Sequence, residues 1–237
     1  MIPQNKVDAS EPLLGFWYAA RLSADVPRGQ MKAQSLLGYP LLLCRGTDGR
    51  VAALKDLCPH RGMPLSFGRF DGERVECAYH GWQFDRGGTC RAIPALVEGS
   101  PIKPEKICIT SYPCQEQDGY IWVYIPDGST VPSPLPPVPT LPVRSESYHL
   151  LHVETSLSCT GDNGVVGLLD PAHGAFVHHN SWWRTPKSIH EKAKHYEPLP
   201  TGFRMTPHTP SKNSSPYQFL GQAGSPVLTT IDFYLPN

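Results

Sequence analysis

The sequence predicts a mostly β protein with an α+β second unit, and three observations predict it. The 237 residues include 26 prolines and 21 glycines, counts that favour turns over long helices. Apolar residues alternate or run in short blocks, whereas helical spacing is rare. Pairs such as Asp48-Gly49 and Gly87-Gly88 separate several blocks, as hairpin connections require.

Residues 13–20 read as a buried strand in which Trp17 and Tyr18 are core residues. Residues 39–45 and 51–55 flank Gly46-Thr47-Asp48-Gly49 and form a hairpin. Short strands at 74–76 and 82–84 enter and leave a loop, and residues 85–89 turn the chain again. Strands at 107–112 and 120–125 follow, separated by the polar stretch 115–119. Residues 13–125 therefore make one domain, a small antiparallel β-sandwich with two loops at one tip. Residues 126–142 hold seven prolines and cannot lie inside a sheet or helix, so they form a connector, either a linker or a covering arm. The second unit, 143–237, opens with a strand at 148–158. A helix capped by Asp162 follows and ends near Pro171. Strands at 202–206, 217–221 and 227–235 then share one sheet.

Twenty-one basic and 21 acidic residues balance, which argues against a nucleic-acid partner or an anionic membrane surface. No apolar run approaches about 18 residues, and no secretory pattern opens the chain, so a cytoplasmic location is expected. Of seven cysteines, Cys44, Cys108 and Cys159 read as buried thiols, and Cys90 and Cys114 have no assigned role.

The two loops carry the chemistry. Cys58-Pro59-His60-Arg61-Gly62 and Cys77-Ala78-Tyr79-His80-Gly81-Trp82 give the pattern C-x-H-x16-C-x2-H. Each loop offers one thiolate and one imidazole, which suits a two-metal site where one iron takes both sulfurs and the other both nitrogens. The alternative is a structural zinc, but such sites space cysteines two to four apart and histidines three to five apart, without mixing types.

Through these residues and His80-Gly81-Trp82-Gln83-Phe84-Asp85, the stretch resembles the Rieske domain of ring-hydroxylating oxygenases. Respiratory Rieske proteins add a cysteine to each loop to form a disulfide. Met63 and Tyr79 stand at those positions here, so that staple is not expected.

A second pattern, D-x2-H-x4-H, runs from Asp170 through His173 to His178. Two imidazoles on one ion leave room for a carboxylate and open positions, the facial triad of non-haem iron(II) sites. Together the two patterns resemble the catalytic α subunit of Rieske non-haem iron oxygenases. The resemblance implies that Cys58, His60, Cys77 and His80 hold a [2Fe–2S] cluster, that His173 and His178 hold the mononuclear iron, and that Asp170 bridges the two centres. It further implies a helix-grip-like catalytic domain and a head-to-tail homotrimer. O2 and a small organic substrate, aromatic or related, would react there by hydroxylation or demethylation. A reductase, sometimes with a ferredoxin, would supply electrons from NAD(P)H.

Two departures stand out. Gly167 occupies a position where the family often has Asn. The third iron ligand, a carboxylate on a distant helix, has no evident counterpart, because Glu191, Glu197 and Asp232 read as surface charges. The sequence therefore looks C-terminally incomplete, and a Rieske-type electron carrier lacking oxygenase activity is the alternative function. A zinc-stabilised binding module is the third.

Overall fold

The computed structural model describes residues 13–128, 130–141, 155–170, 176–177, 193–208 and 228–235. The chain divides into two compact units, one spanning residues 12–148 and the other built on residues 149–235. All named strand pairs are antiparallel.

The first unit is layered around one strand. β2 (Gln30–Leu36), β3 (Tyr39–Arg45), β4 (Val51–Lys55) and β9 (Ser111–Tyr112) form a sheet in that order. Within β3, Leu41 and Leu43 face one core while Leu42 and Cys44 face another, so alternation places the strand between two apolar layers. On one side lies the sheet ordered β1 (Phe16–Leu22), β11 (Tyr120–Ile125) and β10 (Cys114–Gln117). Ile121, Val123 and Ile125 of β11 meet Leu41 and Leu43 there. On the other side lies the small sheet ordered β5 (Arg69–Phe70), β6 (Arg74–Glu76), β7 (Gln83–Asp85) and β8 (Cys90–Ala92). Its Val75, Phe84 and Cys90 pack with Leu42, Cys44 and Leu54. Each fully buried Leu or Phe contributes about 1.5–3 kcal/mol of transfer free energy.

The proline-rich connector is a covering arm along residues 130–141. Its Val138 packs with Trp17, Trp122 and Tyr124 on the outer face of the β1–β11–β10 sheet. The Trp17 indole N–H donates to the Pro136 carbonyl at 2.7 Å, and the Leu141 N–H donates to Asp118 at 2.9 Å. Among the described residues the arm has no strand partner, so its peptide groups pair with side chains, the Pro136 carbonyl accepting from an indole and the Leu141 N–H donating to a carboxylate.

The second unit holds α1 (Gly161–Leu169) and a sheet ordered β12 (Tyr196–Leu199), β13 (Gly202–His208) and β14 (Thr229–Tyr234). Thr160 caps α1 by accepting the Asn163 N–H at 3.4 Å, in place of the expected Asp162. Residues 155–158, expected to end a strand, are not in one. The strand expected at 217–221 lies outside the described residues. Cys44 is buried as expected, but Cys108 and Cys159 are exposed. Ile107 and Ile109 both turn toward the core, so Cys108 between them points away.

One ion pair ties the strand ends of the first unit together. Arg45 at the end of β3 grips Glu116 of β10 through both carboxylate oxygens, at 2.7 and 2.9 Å. It also donates to the carbonyls of Ser23, Val26 and Gly49. Ser23 Oγ donates to the same carboxylate. The Arg45 hydrogen bonds hold the Glu116 carboxyl below its ordinary value of 4.5. A depressed folded-state value means the stabilisation is present at neutral pH and disappears as the pH falls through that value. Glu116→Gln is therefore expected to melt below wild type at neutral pH. The gap should close as the pH falls below the carboxylate range, in thermal melts run from about pH 7 to pH 3.

Candidate metal centre

The two loops are copies of one turn. In the first, the Cys58 N–H donates to the Met63 carbonyl at 2.8 Å and the Gly62 N–H to the Cys58 carbonyl at 2.9 Å. In the second, the Cys77 N–H donates to the Trp82 carbonyl at 2.8 Å and the Gly81 N–H to the Cys77 carbonyl at 3.0 Å. Both turns close on a glycine in the left-handed region, Gly62 at φ 70° and Gly81 at φ 69°. Glycine alone takes that conformation without a Cβ penalty. β6 feeds the second turn and β7 leaves it, while β4 runs into the first, so both cysteines sit at strand ends.

Within this frame the four sequence-predicted donors fall into two pairs, Cys58 beside Cys77 and His60 beside His80. Cys58 and Cys77 are each only 2% exposed and lie in the apolar layer with Leu65, Val75 and Phe84. The imidazoles of His60 and His80 have centroids 4.5 Å apart. His80 is exposed, whereas His60 is half-buried. The Trp82 indole stacks on His60 at 4.7 Å with 4° between the planes, and the Tyr79 ring lies 3.9 Å from His80. Asp56, a buried carboxylate, braces the end of the first loop by accepting the Ser66 N–H at 2.7 Å and its hydroxyl at 2.6 Å. Sequence reasoning passed over Asp56; the visible signal is an acid directly after an apolar strand and two residues before the first cysteine.

The donors fit a two-iron cluster. Burial pushes the Cys58 thiol up to about 11, and the neighbouring Cys77 adds to the rise against lowering by the His60 and Arg61 N–H groups. A thiolate in such surroundings requires a cation to offset its charge. His60 is held below its ordinary value, first by desolvation and then by His80 and Arg61, so it is neutral, as a metal ligand must be. Its Nδ1 is buried without a hydrogen-bond partner, an unfavourable state that a ligand bond would relieve. Among the described residues no three His, Cys, Asp or Glu side chains converge on a single ion.

The second constellation is only partly visible. Asp170 ends α1, its N–H donating to the Val166 carbonyl at 2.9 Å. His173 and His178 lie outside the described residues, as does Glu191. Glu197 is exposed on β12 and faces Arg204 across the strand pair. Both carboxylate oxygens of Asp232 are held by Arg204 at 2.7 Å, which lowers the carboxyl below its ordinary value.

The twin turns differ in what surrounds their glycines. A Cβ at Gly62 would meet only Leu57 at 4.0 Å, whereas one at Gly81 would press on Pro94 at 3.1 Å. Gly62→Ala is therefore expected to cost the backbone strain alone, about 1–2 kcal/mol. Gly81→Ala should cost more, and chemical denaturation of the two variants checks the order.

Residues 16–113 match the family described as "Rieske [2Fe-2S] domain". The chain is 32% identical over 193 residues to chlorophyllide a oxygenase, chloroplastic, of Chlamydomonas reinhardtii, across 78% of this chain and 28% of that protein. It is 35% identical over 166 residues to the toluene-4-sulfonate monooxygenase system iron-sulfur subunit TsaM1 of Comamonas testosteroni, across 68% of this chain and 45% of that one. It thus spans less than half the length of either relative. The crystal structure of dicamba monooxygenase bound to dicamba is similar in fold, with a TM-score of 0.69 over 94% of this chain and 64% of that one at 24% identity. Among the described residues no helix is long and apolar enough to cross a membrane. Residues 16–113 therefore match a Rieske [2Fe-2S] domain, and the chain is a relative of proteins named as oxygenase components.

Proposed function

We propose that the chain is part of a terminal oxygenase component that uses O2 to hydroxylate or demethylate an aromatic or related organic substrate. The observation that carries this reading is the pairing of two buried sulfurs with two adjacent imidazoles at the tips of twin turns. The names of the relatives, a chlorophyllide a oxygenase and a toluene-4-sulfonate monooxygenase subunit, support the oxygenase class.

Cys58 and Cys77 would hold one iron of the cluster and His60 and His80 the other. When bound, the cluster supplies one-electron redox chemistry. Burial of both sulfurs keeps water from the thiolates, and the N–H groups of His60 and Arg61 donate to Cys58. His80 is the exposed histidine, so its outer N–H is the one free to reach an acceptor on a partner surface. The proposed acceptor is Asp170, in the neighbouring subunit of a homotrimer. As a carboxylate it would orient an imidazole and tune its basicity.

His173 and His178 would hold a mononuclear iron(II), whose chemistry is the activation of O2. Residues 13–125 act as the Rieske domain, 126–142 as connector and 143–237 as part of the catalytic domain. A reductase using NAD(P)H, with or without a ferredoxin, is the proposed electron source. The component is assigned to the cytoplasm.

One observation favours the second reading, a Rieske electron carrier without oxygenase activity. Asp232, one of the three acids that follow the histidines, is engaged on both oxygens by Arg204. Loss of an anionic ligand removes a bond and a charge that offsets the metal's. Substrate-dependent O2 uptake by the chain separates the readings, since only the oxygenase shows it.

The purified chain is expected to be coloured and to contain two irons and two acid-labile sulfides, the content of one cluster. Cys58→Ser and Cys77→Ser should each abolish both counts and destabilise the loops, because metal binding contributes directly to folding. Iron, sulfide and zinc analysis checks this, and a colourless protein with one zinc would overturn the cluster assignment.

A further inference from the structure

The twin turns are equivalent in backbone but not in side chains. The sixth position of the turn is Met63 in the first loop and Trp82 in the second. Both pack against the apolar layer beneath the cysteines. Only Trp82 offers a ring, and it lies flat on His60, the histidine of the opposite loop, at 4.7 Å and 4°. Met63 gives His80 no such cover. The ring near His80 is Tyr79 of its own loop, tilted by 35° and largely exposed.

Flat stacking removes one degree of freedom. An imidazole can turn about its Cβ–Cγ bond and put the carbon Cδ2 where Nδ1 stood, because terminal torsions of this kind are broad. A parallel indole resists that turn. Under Trp82, His60 keeps Nδ1 buried and unpartnered, an atom that a ligand bond would satisfy. Trp82 is itself fixed from behind, since its carbonyl closes the turn to Cys77 and the neighbouring Gly81 packs close to Pro94.

We propose that Trp82 is a positioning residue that clamps His60 and makes the two histidines unequal, His60 rigid and shielded, His80 exposed. The proposal rests on the cluster reading above. It concerns the geometry of one ligand and not the chemistry of any substrate.

The test compares wild type with Trp82→Phe and Trp82→Leu, each purified with its cluster and brought to one fixed pH. A phenyl ring can still lie on His60, whereas leucine fills the apolar site without a plane. Three measurements apply: the EPR spectrum of the reduced cluster, its midpoint potential, and the rate of iron release to a chelator. Trp82→Phe is expected to keep the wild-type g-values and potential. Trp82→Leu should broaden the EPR signal, shift the potential and release iron roughly three- to tenfold faster, the size of one aromatic contact. Loss of the cluster from Trp82→Leu alone, with Trp82→Phe intact, supports the clamp as well. Identical spectra, potentials and release rates for all three proteins would overturn it. Loss of the cluster from both variants would also overturn it, because a planar ring would then not suffice. Wild type carrying zinc and no sulfide would instead sink the cluster reading itself, which sets the two failures apart.

Discussion

Two thiols at the floor of an apolar layer are the constraint on which the first unit depends. Cys58 and Cys77 sit among Leu65, Val75 and Phe84, where a lone thiolate would be heavily penalised. Burial raises the Cys58 thiol to about 11, the direction in which that penalty acts. A bound cation reverses it, turning an unfavourable charge in the layer into a ligand. The apolar floor is then useful, since it excludes water from the sulfurs. The twin turns answer the same demand from the backbone side. Each cysteine's own N–H and C=O are paired within its turn, so the thiol goes into the layer without an unpaired peptide group beside it.

β3 makes that floor possible. A strand buried on both faces reads as a continuous apolar block, and Leu41 through Cys44 is one. One set of its alternating side chains closes the sandwich with β11, and the other supports the lobe that carries the loops. A cavity opened under Leu42 would therefore be felt at the cysteines, while one under Leu43 would be felt in the sandwich. The arm at residues 130–141 does for the far face of β11 what the loop lobe does for β3, covering Trp122 and Tyr124 that alternation turns outward.

What was legible follows from this layering. The hairpin 39–45 and 51–55 and the strand 120–125 were readable to the residue, because central strands carry dense apolar blocks bounded by turn signals. The strands that escaped are β2, β5, β8, β10 and β12, and each lies at the edge of its sheet. Edge strands such as Gln30–Leu36 and Cys114–Gln117 are polar, since one side of the ladder and much of their surface meet water. Position 108 shows the converse error, where an apolar context suggested burial and alternation turned Cys108 out. The four candidate donors Cys58, His60, Cys77 and His80 stood out by their spacing together with the residues around them. The Trp82 stack and the Asp56–Ser66 brace did not, because both depend on how the turns bring residues of different segments together.

The mixed composition of the loops has a physical consequence. If each loop supplied two ligands of one kind, either loop could hold a metal before the other had folded. Here one loop brings Cys58 and His60 and the other Cys77 and His80, so under the proposed assignment each iron needs one donor from each loop. Neither loop alone then makes a complete pair for either iron. Binding becomes conditional on both turns being closed and on the floor beneath them being assembled from β3, β4, β6 and β7. The ligand pattern thereby ties metal affinity to the folded state of the whole lobe, as expected where binding free energy is folding free energy. It also places the two imidazoles side by side at the outer edge and the two sulfurs inside, so the exposed side of the centre is the histidine side.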